Sequence, residues 1–298
     1  MNKELAARLG PARMPFLLLP PMCVALGYAT ASREDPSIPV LSIVLAFIGA
    51  IASHVSVNSF NEYFDFRSTL DSKTTRTPFS GGSGTLQQRP ELAGWALWLA
   101  IGGALLTAAI GIYFTLKVGP GILPLGIGGL LVVFTYSIWA VRNPLFCLLA
   151  PGLGFGPFMV IGTHFALTGH YSWAAALTSL VPFFLVNNLL LLNQFPDVEA
   201  DRSVGRKNIL IAAGLQTGAL VYTLFIVLTY VAIASGVLLG LLPMLSLIGI
   251  ATALLSVPAV MSTFKNNRNI PKLIPAMGLN VVINLVTPLL LAAGIFWG

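Results

Sequence analysis

Charge is what this chain of 298 residues has least of. Asp, Glu, Lys and Arg make up 9% of it, against 56% apolar residues, and the mean hydropathy is +0.86. A soluble domain carries roughly 25% charged residues, so a water-solvated globule is excluded. Cysteine is almost missing too. Cys23 and Cys147 fall in or near apolar runs without metal-ligand spacing, so they read as packing residues and no disulfide is expected. Of the charged residues acid is the scarcer, with ten residues against sixteen basic ones. Period-two alternation of apolar and polar residues is absent as well, which excludes a membrane β-barrel.

What is present is a succession of continuous apolar runs of about 18–25 residues, each able to cross a hydrocarbon core of roughly 30 Å as a helix. They predict an all-α, polytopic membrane protein. Nine spans are read, near 14–32, 39–60, 94–116, 119–141, 145–168, 172–194, 210–235, 237–262 and 274–297. The first carries Pro20 and Pro21 and is followed directly by another span, so it reads as a span and not as a cleavable signal. One domain over 1–298 is expected, with the helices around a central chamber and polar cap loops near 61–93 and 195–209.

The basic residues orient it. Fourteen of the sixteen lie at the N-terminus or in the loops after spans two, four, six and eight, and only Arg33 and Lys117 lie on the other side. The positive-inside rule places the N-terminus and those loops in the cytoplasm, as for a protein of the cell's inner (plasma) membrane. The net charge of +6 is thus a topology signal, and no nucleic-acid partner is expected.

Against this background two stretches stand out, NSFNEYFDFRSTLD at 58–71 and NQFPDVEADRSVGRK at 193–207. Seven of the ten acids lie in or beside them: Glu62, Asp65, Asp71, Glu91, Asp197, Glu199 and Asp201. Residues four apart share a helical face, which pairs Asn61 with Asp65 and Asp197 with Asp201. Pro196 disfavours helix at Phe195 and suits the first turn of a new helix, so span six should break there. The spacing also repeats weakly between the stretches, consistent with two related four-span halves in parallel and one extra span.

Carboxylates gathered on one rim repel unless cations lie between them. Mg²⁺ prefers oxygen ligands and commonly binds one or two carboxylates together with substrate phosphates. Arg67, Lys73, Arg76, Arg206 and Lys207, with Arg13 at the start of span one, stand ready to neutralise phosphate oxygens. These residues point to a Mg²⁺-diphosphate site opening into an apolar chamber, suited to a diphosphate head on a long hydrocarbon tail.

NEYFDFRSTLD and DVEADRSVGRK resemble the paired signatures of the UbiA superfamily of intramembrane prenyltransferases, an N-D-x-x-D followed by another Asp and a D-x-x-x-D. The step from Asp65 to Asp71, with TPFSGGSG beyond, is most similar to the menaquinone-type branch, which prenylates 1,4-dihydroxy-2-naphthoate. The resemblance implies that Asn61, Asp65, Asp71, Asp197 and Asp201 hold Mg²⁺ and that Asp65, Asp71, Asp197 and Asp201 are catalytic. It implies substrate-binding roles for Arg67, Tyr136 and Ser137, beside the Arg13, Lys73, Arg206 and Lys207 already singled out. Two departures stand against it: Glu62 replaces the usual Asp, and LQQRPEL at 86–92 does not match the branch. The implied reaction ionises an isoprenyl diphosphate and passes the prenyl cation to an aromatic acceptor, with membrane lipid beside the tail. The long 61–93 loop would close over the site to keep water out.

Other UbiA-type transfers or a terpene cyclisation would use the same apparatus. A secondary transporter is disfavoured because its ionisable groups tend to lie near the bilayer midplane. His54 reads as a satisfied interior histidine, and Asn187, Asn188, Asn280 and Asn284 read equally as acceptor-pocket lining or as helix glue. The five tryptophans near span ends read as an interfacial belt.

Overall fold

The computed structural model describes residues 3–74 and 76–298, apart from the side chains of Lys3, Asp71 and Ser72. Among the described residues, eight helices are long and apolar enough to cross a membrane, and one shorter apolar helix accompanies them. In chain order they are α1 (Met14–Glu34), α2 (Val40–Arg67), α3 (Pro90–Val118), the shorter α4 (Pro120–Tyr136), α5 (Pro144–Thr168), α6 (Trp173–Asn193), α7 (Leu215–Leu238), α8 (Met244–Asn266) and α9 (Ile270–Trp297). The nine expected spans thus correspond to eight of spanning length plus α4. The fourth falls short because its helix stops at Tyr136, and Ala140–Arg142 form a separate 3₁₀ turn.

Several helices begin in tightened turns. Met14–Leu18 and Met244–Thr252 are 3₁₀, and each passes directly into α-helix. In α5, Pro151 and Pro157 remove backbone donors, and Gly154–Ile161 widens into a π-helical stretch. Beside it, Gly152 lets α6 come close: a Cβ there would lie 2.3 Å from the Phe183 carbonyl oxygen. The Gly152 N–H donates to Asn187 Oδ1 at 2.6 Å.

Burial divides the bundle. A large core joins α1, α5, α6, α7 and α9 through fully buried side chains such as Leu26, Leu185, Leu189, Tyr222, Ile233 and Leu291. A smaller one, with Val24, Ala46, Ile110, Phe114 and Phe165, joins α1, α2, α3 and α5. Side chains on the outside, among them Leu116, Leu238 and Leu254, are more than four-fifths exposed, as a lipid-facing surface requires. The five tryptophans are exposed too, consistent with an interfacial belt.

Of the buried asparagines Asn187, Asn188, Asn280 and Asn284, three bind helices to one another. Asn188 Nδ2 donates to the Tyr222 carbonyl at 2.9 Å, the Tyr222 hydroxyl donates to Asn280 Oδ1 at 3.2 Å, and Asn284 Nδ2 donates to the Asn280 carbonyl at 2.9 Å. Asn187 of α6 accepts from Gly152 of α5, so these bonds link α5, α6, α7 and α9, while the Asn284 bond stays within α9; none of the four lines either described cavity. Of the two readings offered for them, helix glue is the one the geometry supports.

Candidate active site

The site assembles where three distant segments meet on one rim. The first is the end of α2. Because that helix runs on to Arg67, Asn61 and Asp65 stand one turn apart on the same face, and both line a polar cavity of about 100 Å³. The second is the segment after α6. That helix ends at Asn193, and a turn through Gln194–Asp197 leads into a short helix, Val198–Ser203. Pro196 accounts for the break, one to two residues later than where helix is lost. The Asp201 N–H donates to the Asp197 carbonyl at 2.8 Å, so both carboxylates also face the cavity. The third is the chain before α1, where Arg13 adopts a left-handed conformation (φ 51°) between two 3₁₀ turns.

Ion pairs tie these segments together. The Arg206 guanidinium donates to Asp65 Oδ1 and, at 3.4 Å, to Asp201 Oδ1, so a cation already lies between the two acidic stretches. Asn208 holds the other oxygen of Asp201 at 3.0 Å while its own Oδ1 caps the helix Ile209–Ala213. Asp197 Oδ1 is buried and has no hydrogen-bond partner. Burial and the nearby Asp201 carboxylate push the Asp197 carboxyl up to about 7. Burial raises Asp201 as well, against the opposing pull of Arg206 and Asn208.

Glu62 faces elsewhere. It is fully buried, and Oε1 accepts from Arg13 Nε at 2.8 Å and from the Ser83 N–H at 2.6 Å, while Oε2 accepts from the Ser83 hydroxyl at 2.9 Å. The longer side chain thus latches the 61–93 loop and the N-terminal segment to α2. The latched piece is glycine-rich because it must be: Gly81, Gly82 and Gly84 all have positive φ, and a Cβ on Gly84 would collide with the Arg76 guanidinium.

Three expected binding residues stand apart. Arg67 is exposed and absent from the cavity wall, since a residue two beyond Asp65 lies about 200° further round the helix. Lys73 is exposed on the short helix Leu70–Lys73, whose Leu70 lines the cavity instead. Lys207 is exposed, and its backbone N–H donates to the Val141 carbonyl at 2.9 Å. The Asp71 side chain lies outside the described residues. Asn208, Gln194 and Ser80 line the cavity without having been singled out, and only their closeness to the acidic stretches and the TPFSGGSG run hinted at them. Cys147 also lines it, while Cys23 lies in the large core.

Beneath the polar cavity lies a second of about 400 Å³, walled by α2, α3, α4 and α5 with mostly small and apolar side chains. Asn61, Tyr136 and Leu190 line both, so the two spaces adjoin. The Ser137 hydroxyl donates to Asn61 Oδ1 at this junction. Ile112 and Ile127, which line the lower chamber, are 62% and 55% exposed, so it reaches the outer surface between α3 and α4. His54 also lines it, where Nε2 accepts from Asn58 Nδ2 at 3.1 Å and the ring packs edge-on against Phe155.

This architecture defines a helical membrane protein with an acidic, arginine-bridged pocket set above an apolar chamber. The chain belongs to the UbiA prenyltransferase family, whose model matches residues 18–281. It is 27% identical over 255 residues to UbiA prenyltransferase domain-containing protein 1 of Xenopus tropicalis, covering 83% of this chain and 69% of that one. It is 23% identical over 192 residues to 1,4-dihydroxy-2-naphthoate octaprenyltransferase of Bacillus subtilis, covering 62% of this chain and 59% of that one. The fold matches that of a UbiA homologue from Archaeoglobus fulgidus bound to DMAPP and Mg²⁺, with a TM-score of 0.65, 15% identity and coverage of 95% and 98%.

Proposed function

We propose that this protein is an integral-membrane prenyltransferase that moves an isoprenyl group from its diphosphate to an aromatic acceptor of the 1,4-dihydroxy-2-naphthoate class. The observation that carries the reading is the junction at Asn61, Tyr136 and Leu190 between an acidic pocket and an apolar chamber. An isoprenyl diphosphate has the same two parts. The name of the Bacillus relative supports the choice of acceptor.

The residues fit Mg²⁺. All the acidic donors are oxygens, Asp197 Oδ1 is buried without a partner, and a guanidinium occupies the space between Asp65 and Asp201 as a stand-in cation. Asp65, Asp197 and Asp201, with Asn61 beside them, would hold the ion, and Asp71 is proposed to join them. Bound Mg²⁺ would supply Lewis-acid stabilisation of the departing diphosphate. Arg13 and Arg206 supply further positive charge as the C–O bond breaks. Ser137 positions Asn61 where head and tail meet, and Tyr136 lines that junction. The loop latched by Glu62 shuts water away from the allylic cation, which water would quench to an alcohol. Arg67, Lys73 and Lys207, exposed at the rim, serve first encounter with the diphosphate and not its ionisation.

On this reading α4 also crosses the bilayer, making nine spans. The acidic rim faces the cytoplasm from the plasma membrane, and the tail gains the chamber from lipid between α3 and α4. The test is purified protein with Mg²⁺, geranylgeranyl diphosphate and a panel of acceptors, read by mass spectrometry. A prenylated dihydroxynaphthoate is expected; product with hydroxybenzoate alone overturns the acceptor assignment. Absence of Mg²⁺-dependent diphosphate release overturns the enzyme assignment.

A further inference from the structure

On the rim opposite the acidic pocket, the end of α1 meets the turn between α5 and α6. Glu34, His164 and His170 each bring one ligand atom there, all within 4.8 Å of one another. His164 Nε2 lies 3.5 Å from Glu34 Oε2, and His170 Nε2 lies 2.6 Å from the same oxygen.

The surrounding hydrogen bonds decide which ring nitrogens carry protons. The Thr30 hydroxyl donates its one hydrogen to the Gly27 carbonyl at 2.9 Å. Toward His164 Nδ1, 3.0 Å away, it is therefore an acceptor, and Nδ1 carries the proton. A neutral His164 then aims the bare lone pair of Nε2 at a carboxylate. That nitrogen belongs to a fully buried side chain and has no hydrogen-bond partner. In His170, Nε2–H donates to Glu34 Oε2 at 2.6 Å, and Nδ1 faces the Thr168 carbonyl at 3.3 Å. The Ser172 hydroxyl donates to Glu34 Oε1 at 2.6 Å and turns Oε2 toward both rings.

The buried lone pair of His164 Nε2 faces the Glu34 carboxylate with no proton between them, a repulsion that a cation taken up in exchange for the His170 Nε2 proton removes. Each candidate ligand is held by an outer partner, the arrangement that fixes tautomer and orientation around metals. Two imidazoles and a carboxylate are a donor set for Zn²⁺, with contacts of about 2.0–2.2 Å and a fourth position left to water. Edges of such a tetrahedron measure roughly 3.3 Å, close to the His164–Glu34 separation. His170 is more than half exposed and free to draw back by under an ångström, and Glu34 is one-third exposed, so an ion has a path in.

We propose that Glu34, His164 and His170 form a zinc site that clamps the end of α1 to the α5–α6 turn. The site is separate from the acidic pocket, since α1, α5 and α6 each run from that pocket to the opposite rim.

The experiment uses the full chain in detergent, stripped by chelator and titrated with Zn²⁺ alone by calorimetry. Thermal unfolding and Co²⁺ absorption serve as second and third readouts. The unaltered chain and a D65N/D197N chain are compared. One Zn²⁺ per D65N/D197N chain is expected, and at least that one in the unaltered chain, with a raised unfolding midpoint and the visible absorption of a tetrahedral cobalt site. E34Q and H170A, both at partly exposed positions, are expected to weaken binding by about tenfold or more and to lose the cobalt signal. Three results overturn the proposal: no saturable binding to the stripped chain, binding that disappears in the D65N/D197N chain, or E34Q and H170A chains that bind as the parent does.

Discussion

The polar pocket and the apolar chamber share three lining residues and almost nothing else. The pocket, of about 100 Å³, depends on single atoms: Arg206 on Asp65 and Asp201, and Arg13 on Glu62. The chamber, about four times larger, is walled mostly by small and apolar side chains, with Gly, Ala, Ile and Leu the commonest. One is specified by charge at fixed places, the other by summed volume. Reaction type should therefore follow the pocket, and tail length the chamber.

The severest way to break that division is to remove the carboxylates. An Asp65→Ala, Asp197→Ala double variant is expected to lose diphosphate release altogether while keeping its helical circular dichroism; full activity would sink the proposed reaction. Arg206→Gln comes next. It should lower kcat by roughly 10²-fold, as loss of a charge-stabilising donor does, without changing the preferred tail length. A change in tail preference would mean the two spaces are not independent.

Glu62→Gln tests the latch. The three hydrogen bonds from Arg13 and Ser83 weaken on loss of the charge, worth about 1.5–3 kcal/mol for a bond to a charged group. The expected result is about tenfold slower transfer and more prenyl alcohol in the product mixture. An unchanged ratio of alcohol to transfer product would show that the loop does not exclude water.

Gly111→Leu sharpens the comparison from the chamber side. Gly111 lines the chamber, and a Cβ there meets nothing within 4 Å. At about 0.8 kcal/mol per CH₂, the added side chain should shift preference several-fold toward shorter donors, read by competition between two chain lengths. Dependence on Mg²⁺ should stay as it was.

The gentlest probe is pH. The Asp197 carboxyl rises from 3.8 to about 7 on folding, so the folded chain binds a proton that the unfolded chain releases. The associated stability is complete below 3.8 and is lost as pH rises through about 7. Metal-free protein should melt at a lower temperature near pH 8 than near pH 5, and added Mg²⁺ should reverse the order. A midpoint that climbs with pH in chelator would contradict this.

Much of this was legible in the sequence because membranes impose simple rules. Run length marked the spans, and rare acids marked the pocket. The i, i+4 spacing put Asn61 with Asp65 and Asp197 with Asp201. What escaped depended on direction. Arg67 looked like a phosphate ligand by proximity, but helical rotation turns it to the surface. Glu62 looked like a conservative replacement for Asp, yet its extra methylene reaches Ser83 and fastens a loop. Asn208 carried no signal beyond its closeness to the second acidic stretch, since its partner Asp201 is met only after the chain turns at Gly205 (φ 78°). The length of α4 was overestimated because apolar residues continue to Val141 after the helix has stopped at Tyr136.

The Arg206–Asp65 pair joins residues 141 positions apart in the chain. A ribosome releasing this protein into a bilayer must therefore deliver six helices before the first acidic stretch meets its cation. Until then Asp65 sits at the membrane edge without that partner, and the polar pocket lacks the wall that Asp197, Asp201, Arg206 and Asn208 supply. Assembly of the candidate site is thus a late event in biosynthesis, and a chain cut before residue 206 lacks the cation that joins its two acidic stretches. The same pair makes the finished bundle self-checking: only a molecule with α2 and α6 correctly placed closes the pocket.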